Sequence, residues 1–271
     1  MSSRSHDRSH FYKYSSLDAA IRIIESKSFR WSSPTKFNDP FDHQTGFVIN
    51  YNLDELARCL TEAIERIVFS EVDPELLPHS LFSALTLKLR DIRHKLPRDQ
   101  VLNFLHEASI ESAKRQRDSL QRLNVEIQEN LCHSRVFCVS EELDNVVMWA
   151  HYAEEHRGVV FKLRCIDDID NTLLAARKVN YTNSFLPFPN PEIYAKHLTG
   201  EKPLDMASLM WDIAYTKHKH WSYEQEWRVH MALLDEPAGD GYAIFSENSR
   251  VFEAVYLGCR METEEIKAVV D

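Results

Sequence analysis

Apolar residues near the start of the chain change from strand spacing to helix spacing and back. Residues 11–14 predict a short strand. Ser15 and Asp18 form a capping box, and apolar residues every three or four positions through Ile24 predict an amphipathic helix. Residues 29–31 predict a return strand, and the proline-containing segment 32–42 predicts an ordered turn.

Residues 53–131 carry helical spacing almost throughout. Their apolar faces predict helices that begin near Leu53, Leu81 and Arg98, separated at Pro74 and Pro97. These helices offer no candidate chemistry in their sequence. We therefore interpret residues 53–131 as a helical insertion that packs on the main fold or caps it.

Strand spacing returns in the second half of the chain, between helical segments. Strands are predicted at residues 135–140, 159–163, 178–181, 227–234, 242–245 and 251–257, and helices at 144–155, 207–217 and from 262 onward. Sheet segments on both sides of a helical block are typical of α+β proteins. We predict a single α+β domain over residues 11–271, with a mixed or antiparallel sheet and helices packed on it.

The strand that begins near Trp227 has charged residues at its start. In an extended chain, Glu224, Glu226 and Arg228 share one face, which directs two carboxylates and a guanidinium to one place. Strand ends are common positions for functional sites. The alternative interpretation is a ladder of solvated surface charges without a chemical role.

The composition is that of an ordinary globular protein. The chain has 271 residues, 44% apolar and 27% charged, and a net charge of -10. This charge argues against coating of nucleic acid by bulk electrostatics. Residues 1–10 are polar and predict a flexible tail, and no apolar run is long enough to cross a bilayer. We therefore expect a cytoplasmic protein without a membrane partner, and its oligomeric state stays open.

Cysteine and histidine spacing does not predict a metal site. The five cysteines contain no C-x-x-C pair, so neither a disulfide framework nor a zinc ribbon is expected. His151 and His156 lack the i, i+4 spacing of helical zinc ligands, and His218 and His220 alternate along an extended segment. We expect no bound metal, and we expect the cysteines to act as small buried apolar residues.

Several ordered motifs resemble an uncharacterised bacterial family that is catalogued as a domain of unknown function. The motifs are SPxxFNDPFD at residues 33–42, FCVSE at 137–141, MWxHYxxxHxG at 148–158 and WxYExEWR at 221–228. The resemblance covers residues 12–258 apart from the helical insertion. It implies no particular reaction.

A second resemblance is to the ADP-ribosyltransferase fold. Enzymes of this fold begin with a strand that carries a basic residue, an amphipathic helix and a return strand, and they place a catalytic Glu where a late strand begins. Residues 11–31 resemble this opening, Ser140 resembles the central strand residue, and residues 224–226 resemble the Glu-x-Glu motif. The chain departs from the pattern in having Lys13 in place of His or Arg, no S-T-S string and no Gly-rich phosphate loop.

This resemblance implies an enzyme that uses NAD for ADP-ribose transfer or hydrolysis, in a bacterial defence or toxin-type effector. Glu226 is expected to stabilise positive charge on the ribose, with Glu224 positioning the acceptor and Ser140 in the central position. The implied nucleotide-binding residues are Tyr12, Lys13, Tyr14, Asn38, Trp149, His151, Tyr152 and Arg228, with aromatic rings on the nicotinamide and Lys13 or Arg228 on the pyrophosphate. On this interpretation, Glu226→Gln abolishes activity and leaves the folding midpoint nearly unchanged.

Two other functional classes stay open at this point. Asp39, Asp42, Glu141, Glu224 and Glu226 are candidate oxygen ligands for Mg²⁺ in a hydrolase or nuclease. The other class is a non-enzymatic protein, in which the aromatic residues bind a ligand and the helical insertion contacts a partner. The acceptor of a transfer reaction, whether protein, nucleic acid or water, is not determined by these residues.

Overall fold

The computed structural model describes residues 4–43, 46–76, 81–233 and 239–270. The strands in this part of the chain are β1 (His10–Ser15), β2 (Ser28–Ser32), β3 (Ser134–Ser140), β4 (Val159–Arg164), β5 (Arg177–Lys178), β6 (Asn180–Thr182), β7 (Thr216–His218), β8 (Glu226–Ala232), β9 (Tyr242–Ser246) and β10 (Phe252–Leu257). The helices are α1 (Leu17–Ser26), α2 (Leu53–Phe69), α3 (Leu81–Ile92), α4 (Arg98–Asn130), α5 (Val146–Tyr152), α6 (Pro191–Thr199), α7 (Met206–Ala214) and α8 (Thr263–Val270).

The main sheet is antiparallel, and with its packed helices it confirms the predicted α+β class. Its strand order is β10-β4-β1-β3-β2-β9, and β8 pairs with both β3 and β5. A separate parallel pair is formed by β6 and β7. The strands predicted at 135–140 and 242–245 therefore lie in one sheet, as β3 and β9.

Alternation along the central strands gives the sheet two apolar faces. Phe11 of β1 and Phe161 of β4 lie in one buried cluster with Ile23 of α1. Tyr14 of β1 lies in a second cluster with Met148 of α5. Because successive residues of a strand point to opposite faces, helices cover the sheet on both sides.

The chain divides into two compact units by its internal contacts. Unit 1 comprises Met1–Thr45, Glu129–Ser184 and Ile213–Asp271, and it contains all the described strands. Unit 2 comprises Gly46–Gln128 and Phe185–Asp212. The helical insertion predicted at 53–131 thus falls mainly in unit 2, which also takes residues from a later part of the chain. A single domain over residues 11–271 stays a prediction.

Unit 2 is built on the apolar face of α2. Ile64 and Val68 of α2 form a buried cluster with Val101 and Leu105 of α4. The helix α4 continues to Asn130 through a strongly charged stretch whose hydrophobic periodicity is weak, so its full length is not apparent from the sequence. Across the described ranges, none of the helices has the length and apolar character needed to span a membrane.

Two predicted elements differ in their extent. The helix predicted at 144–155 ends at Tyr152, because Glu154 and Glu155 have positive φ angles of 49° and 52°. The strand predicted at 178–181 is divided between β5 and β6, which belong to different sheets. Residue 234, at the end of the strand predicted at 227–234, lies outside the described residues.

The N-terminal segment makes specific contacts before β1. Ser5 Oγ donates a hydrogen bond of 2.6 Å to the Ala176 carbonyl, and Arg8 pairs with Glu141 at 3.0 Å. Residues 1–3 of the predicted flexible tail lie outside the described residues. Among the cysteines, Cys59 is buried as expected, whereas Cys259 is exposed.

Candidate functional site

A cleft opens where two strands separate along one edge of β3. β8 pairs with β3 along the whole of its other edge. β1 and β2 therefore share the remaining edge, where Tyr12 pairs with Ser140 and Ser32 pairs with Val136. The cleft between these two points has a volume of about 480 Å³, and Cys138 of β3 lines it.

The cleft brings together most of the predicted site residues. Those that line it are Tyr12, Lys13, Tyr14, Asn38, Ser140, His151, Tyr152, Glu224 and Glu226. It is also lined by Asp42, which was a candidate magnesium ligand, and by residues that the sequence did not suggest, namely Arg30, Ser32, Lys36, Phe37, Cys138, Val139, Met148 and Lys217. Aromatic, cationic and acidic side chains thus share one cavity within unit 1.

Three predicted motif positions lie side by side across the sheet. Tyr12 of β1 is the register partner of Ser140 of β3, and Ser140 is in turn the register partner of Glu226 of β8. Adjacent strands are about 4.8 Å apart, so these three positions form one row across the sheet. The row lies on the wall of the cleft.

Arg228 is completely buried, and it is held by two carboxylates. Its Nη atoms donate to Asp42 Oδ1 and Oδ2 at 2.8 and 2.5 Å, and its Nε and Nη2 donate to Glu226 at 2.8 and 3.0 Å. The last N–H donates to the Ala214 carbonyl at 3.0 Å. Since a guanidinium has five N–H groups, all of them are used. The prediction that Arg228 binds a pyrophosphate is therefore wrong.

A buried lysine lies among the same carboxylates. Lys217 Nζ is 2.5 Å from Glu224 Oε2, 3.0 Å from Glu226 Oε2 and 3.6 Å from Asp42 Oδ2. Burial acts to lower the pKa of Lys217, but the surrounding carboxylates raise this pKa overall. Lys217 therefore stays charged. We refer to Asp42, Lys217, Glu224, Glu226 and Arg228 together as the ionic cluster.

The ionic cluster has one more acid than it has bases. When all its groups are ionised, the three carboxylates exceed Lys217 and Arg228 by one negative charge. Burial favours neutral carboxyls, but the adjacent Arg228 and Lys217 hold the pKa of Glu226 well below its usual range. Burial, followed by repulsion from Glu226, raises the pKa of Glu224 to about 7. Of these two glutamates, Glu224 is thus the one that exchanges a proton near neutral pH.

Glu224 is placed by an unusual backbone conformation. It ends a 3₁₀ segment, Lys219–Glu224, rather than lying in the strand, and Gln225 has a left-handed φ of 43°. The sequence interpretation that Glu224 shares an extended face with Glu226 is therefore wrong in its geometry. The two carboxylates still meet, because Lys217 binds both.

Ser140 supports the backbone at Glu224. Its hydroxyl donates to the Glu224 carbonyl at 2.7 Å and accepts from the Glu142 N–H at 3.1 Å. Only 1% of Ser140 is exposed. This geometry gives the Ser140 hydroxyl a positioning function, and a direct catalytic role for Ser140 stays a prediction.

Helix α5 packs beside the 3₁₀ segment and brings Tyr152 to Glu224. Asn145 caps the helix and donates from Nδ2 to the Tyr223 carbonyl at 2.7 Å. His151 Nδ1 and Tyr223 Oη are 2.9 Å apart at the other end. Tyr152 Oη donates to Glu224 Oε1 at 2.5 Å. Three contacts thus align α5 with the segment that carries Glu224.

Trp149 does not line the cleft, which corrects its predicted place on the nicotinamide. Its indole N–H donates to the Leu143 carbonyl at 2.8 Å, and its ring meets Tyr14 edge-on with centroids 5.7 Å apart. A buried Trp commonly uses its N–H in this way. Trp149 therefore supports the packing of α5 on β1.

Three further cations, which are not members of the ionic cluster, line the cleft. Lys13 donates to the Cys138 carbonyl at 2.9 Å. Arg30 and Lys36 lie against one ring, with distances of 4.4 and 5.8 Å to the centroid of Tyr242. Within the described ranges, none of these cations has a carboxylate at salt-bridge distance. In a protein with a net charge of -10, such a group is suited to an anionic ligand.

Of the five candidate magnesium ligands, Asp42, Glu224 and Glu226 lie together in the ionic cluster, whereas Asp39 and Glu141 have other partners. Glu141 pairs with Arg8 and Lys178, and Asp39 Oδ1 accepts from the Phe41 N–H. In the ionic cluster, the ammonium of Lys217 occupies the position between the carboxylates that a divalent cation requires. The described part of the chain has no group of three or more His, Cys, Asp or Glu side chains arranged for a metal ion.

Part of the chain matches a known family. Residues 148–229 match the family described as "Protein of unknown function (DUF2971)". No curated protein and no solved structure matches the chain. The matched segment contains Tyr152, Lys217, Glu224, Glu226 and Arg228, so it includes four of the five residues of the ionic cluster. The predicted resemblance to an uncharacterised family is therefore confirmed over residues 148–229, where the chain is similar to this family of unknown function.

Proposed function

We propose that the chain is an NAD-consuming enzyme of the ADP-ribosyltransferase type. The observation that carries this proposal is the row formed by Tyr12, Ser140 and Glu226 across β1, β3 and β8 on the wall of one cleft. The resemblance to the ADP-ribosyltransferase fold predicts three motifs that are separate in sequence. The register of β1, β3 and β8 supports this resemblance, because it brings one residue of each motif into the same row.

The charges of the cleft are complementary to the pyrophosphate and to the nicotinamide ring of NAD. Lys13, Arg30 and Lys36 offer donors to the pyrophosphate, in place of Arg228. The cationic nicotinamide ring is attracted to the excess negative charge of the ionic cluster and to the face of an aromatic side chain. Tyr12 and Tyr14 of β1 line the same cleft and offer aromatic side chains to this ring.

We assign the reacting carboxylate to Glu224 rather than to Glu226. Both oxygens of Glu226 accept hydrogen bonds from Arg228, and Oε2 also accepts from Lys217. The charge of Glu226 is therefore largely balanced. Glu224 accepts from Lys217 and Tyr152 but makes no hydrogen bond with Arg228, and its pKa of about 7 suits a general base at neutral pH.

The proposed step breaks the bond between the nicotinamide nitrogen and ribose C1′. The bonding electron pair leaves with nicotinamide, and an acceptor oxygen, from water or from a macromolecule, forms the new bond to C1′. Glu224 takes the proton of the acceptor, and its negative charge stabilises the positive charge that develops on the ribose. The expected cytoplasmic location is part of this proposal, because NAD is a cytoplasmic metabolite. We also propose that the enzyme acts as an effector in bacterial defence.

A thermal-shift experiment with NAD and with MgCl₂ tests this function. Saturating NAD is expected to raise the unfolding midpoint, since a ligand at 100 times its Kd adds about 2.7 kcal/mol to the free energy of unfolding. Lys36→Gln should weaken the shift, whereas the exposed Lys114→Gln should not. Stabilisation by Mg²⁺ alone would support the hydrolase, and no response to NAD would contradict the proposal.

A further inference from the structure

Tyr152 has two polar partners, and both are specific. Its hydroxyl donates to Glu224 Oε1 at 2.5 Å and accepts from Asn38 Nδ2 at 3.1 Å. The Asn38 donor occupies one lone pair of the hydroxyl, which directs the O–H toward the carboxylate. Tyr152 is half-buried at the end of α5, and it lines the cleft beside Glu224.

Asn38 belongs to a segment that is itself held by the ionic cluster. Asp42, four residues later, makes the bidentate pair with Arg228. The guanidinium carbon of Arg228 lies over the ring of Phe37, 5.5 Å from the centroid of that ring. The amide of Asn38 is thus presented to Tyr152 from a backbone that is fixed on both sides.

We infer that Tyr152 is a positioning residue that keeps Glu224 ionised and oriented in the cleft, and that Asn38 orients the hydroxyl of Tyr152 for this purpose. The consequence for catalysis rests on the proposed function, whereas the hydrogen bonds themselves do not. This assignment differs from the predicted roles of Asn38 and Tyr152 as nucleotide-binding residues.

Several groups besides Tyr152 act on Glu224. The charged and titratable groups that face it are Lys217 of β7, Glu226 of β8, Asp42 of the segment before α2, Tyr181 of β6 and the neighbouring Tyr223. Of these, Glu226 raises the pKa of Glu224, while Lys217 lowers it. Burial, and then Glu224 itself, raise the pKa of Tyr152, so the phenol keeps its proton and remains a donor. A donor to the ionised carboxylate lowers the pKa of that carboxylate.

The titration of Glu224 tests this inference directly. We expect the midpoint of the Glu224 carboxyl, followed by NMR of protein labelled with ¹³C at glutamate carboxyls, to rise by about one pH unit in Tyr152→Phe, because a hydrogen bond to a charged group is lost. Comparison with Glu224→Gln identifies the resonance. The control Tyr256→Phe changes a half-buried tyrosine on β10 that packs near Tyr14. In this control, the titration midpoint of Glu224 should equal that of the wild type.

Asn38→Ala provides a second variant that leaves the ring of Tyr152 in place. Asn38 is exposed, so this variant is expected to fold, and it should raise the midpoint in the same direction by a smaller amount. An unchanged midpoint in folded Tyr152→Phe, or in both variants, would overturn the inference. These titrations contain no NAD, so they can support the positioning role even if NAD is not cleaved. If NAD is cleaved, Tyr152→Phe should also move the pH midpoint of kcat upward with little change in KM.

Discussion

Arg228 carries a full charge in a position with 0% exposure. The free-energy cost of burying this charge depends on the partners of the guanidinium. Removing an ion from water costs several kcal/mol, and an adjacent opposite charge with good hydrogen bonds recovers that cost. Asp42 and Glu226 supply both. Loss of either carboxylate leaves part of the guanidinium charge unbalanced in the interior.

Glu226→Gln is expected to lower the free energy of unfolding by about 3 kcal/mol, because it breaks a buried ion pair. Urea denaturation measures this loss. The sequence interpretation expected a nearly unchanged folding midpoint, and burial beside Arg228 and Lys217 reverses that expectation. The matched control is Glu264→Gln, whose side chain is 84% exposed on α8 and whose effect should stay within about 0.5 kcal/mol. Equal midpoints for the two variants would show that Glu226 has no structural role.

Residue spacing predicts part of this cluster and misses the rest. The alternation of Glu226 and Arg228 brings them together on one face, as the strand pattern indicates. Asp42 is separated from Arg228 by 186 positions, and nothing in the local sequence of either residue indicates their pairing. Lys217 and Lys36 look like ordinary surface lysines, since their partners depend on the tertiary fold.

Helix α5 and the segment 219–224 act as a pair of elements that places Glu224. Asn145 contributes twice, since Oδ1 accepts from the Val147 and Met148 N–H groups and Nδ2 donates to the Tyr223 carbonyl. The first contact is an ordinary helix cap. The second ties the helix to the site.

Asn145→Ala is expected to reduce stability by about 1 kcal/mol, as for other N-cap substitutions, and also to slow nicotinamide release. The matched control is Asn190→Ala, which removes the N-cap of α6, where Oδ1 accepts from the Ile193 N–H. The control should lose similar stability with no change in the rate per folded molecule. Equal rates in the two variants would mean that α5 does not position the site.

The order of elements is well predicted where apolar periodicity is strong, as in α1 and β4. Ends are predicted less well when local backbone geometry decides them. α5 stops at Tyr152 because three consecutive residues, 154–156, have positive φ angles that no composition rule anticipates. The 3₁₀ conformation of residues 219–224 is similarly hidden, because Tyr223 to Arg228 alternates like a strand.

The proton on Glu224 links the stability of the folded protein to pH. The pKa of Glu224 is about 7 in the folded protein, against about 4.3 in an unfolded chain. Between these values the folded state holds a proton that the unfolded state has released. Stability from this group is therefore fully present below about pH 4 and is lost as the pH rises through 7.

From pH 5 to pH 8, we expect the wild type to lose about 3 kcal/mol of unfolding free energy relative to Glu224→Gln, which has no carboxyl to titrate at this position. Urea denaturation at both pH values measures this difference. The subtraction removes the contributions of other titrating groups, and Glu264→Gln should show no such trend. A difference that is independent of pH would mean that Glu224 is already ionised at pH 5.

The sequence predicts the α+β class, because strand and helix patterns indicate it, whereas the meeting of the segments around Tyr12, Ser140 and Glu226 is implied only by the resemblance to the ADP-ribosyltransferase fold. It does not predict two compact units, because unit 2 joins residues 46–128 to the distant segment 185–212. Pairings between distant segments depend on the whole fold, as does the separation of β1 and β2 that opens the cleft.

The release of nicotinamide from NAD, measured side by side for wild type, Glu224→Gln and Glu264→Gln, tests whether Glu224 is the general base of an NAD-consuming enzyme. We expect release by the wild type and by Glu264→Gln, and a rate at least about 100-fold lower for folded Glu224→Gln, because a general base is lost. No release by the wild type, or an equal rate in Glu224→Gln, would contradict this assignment.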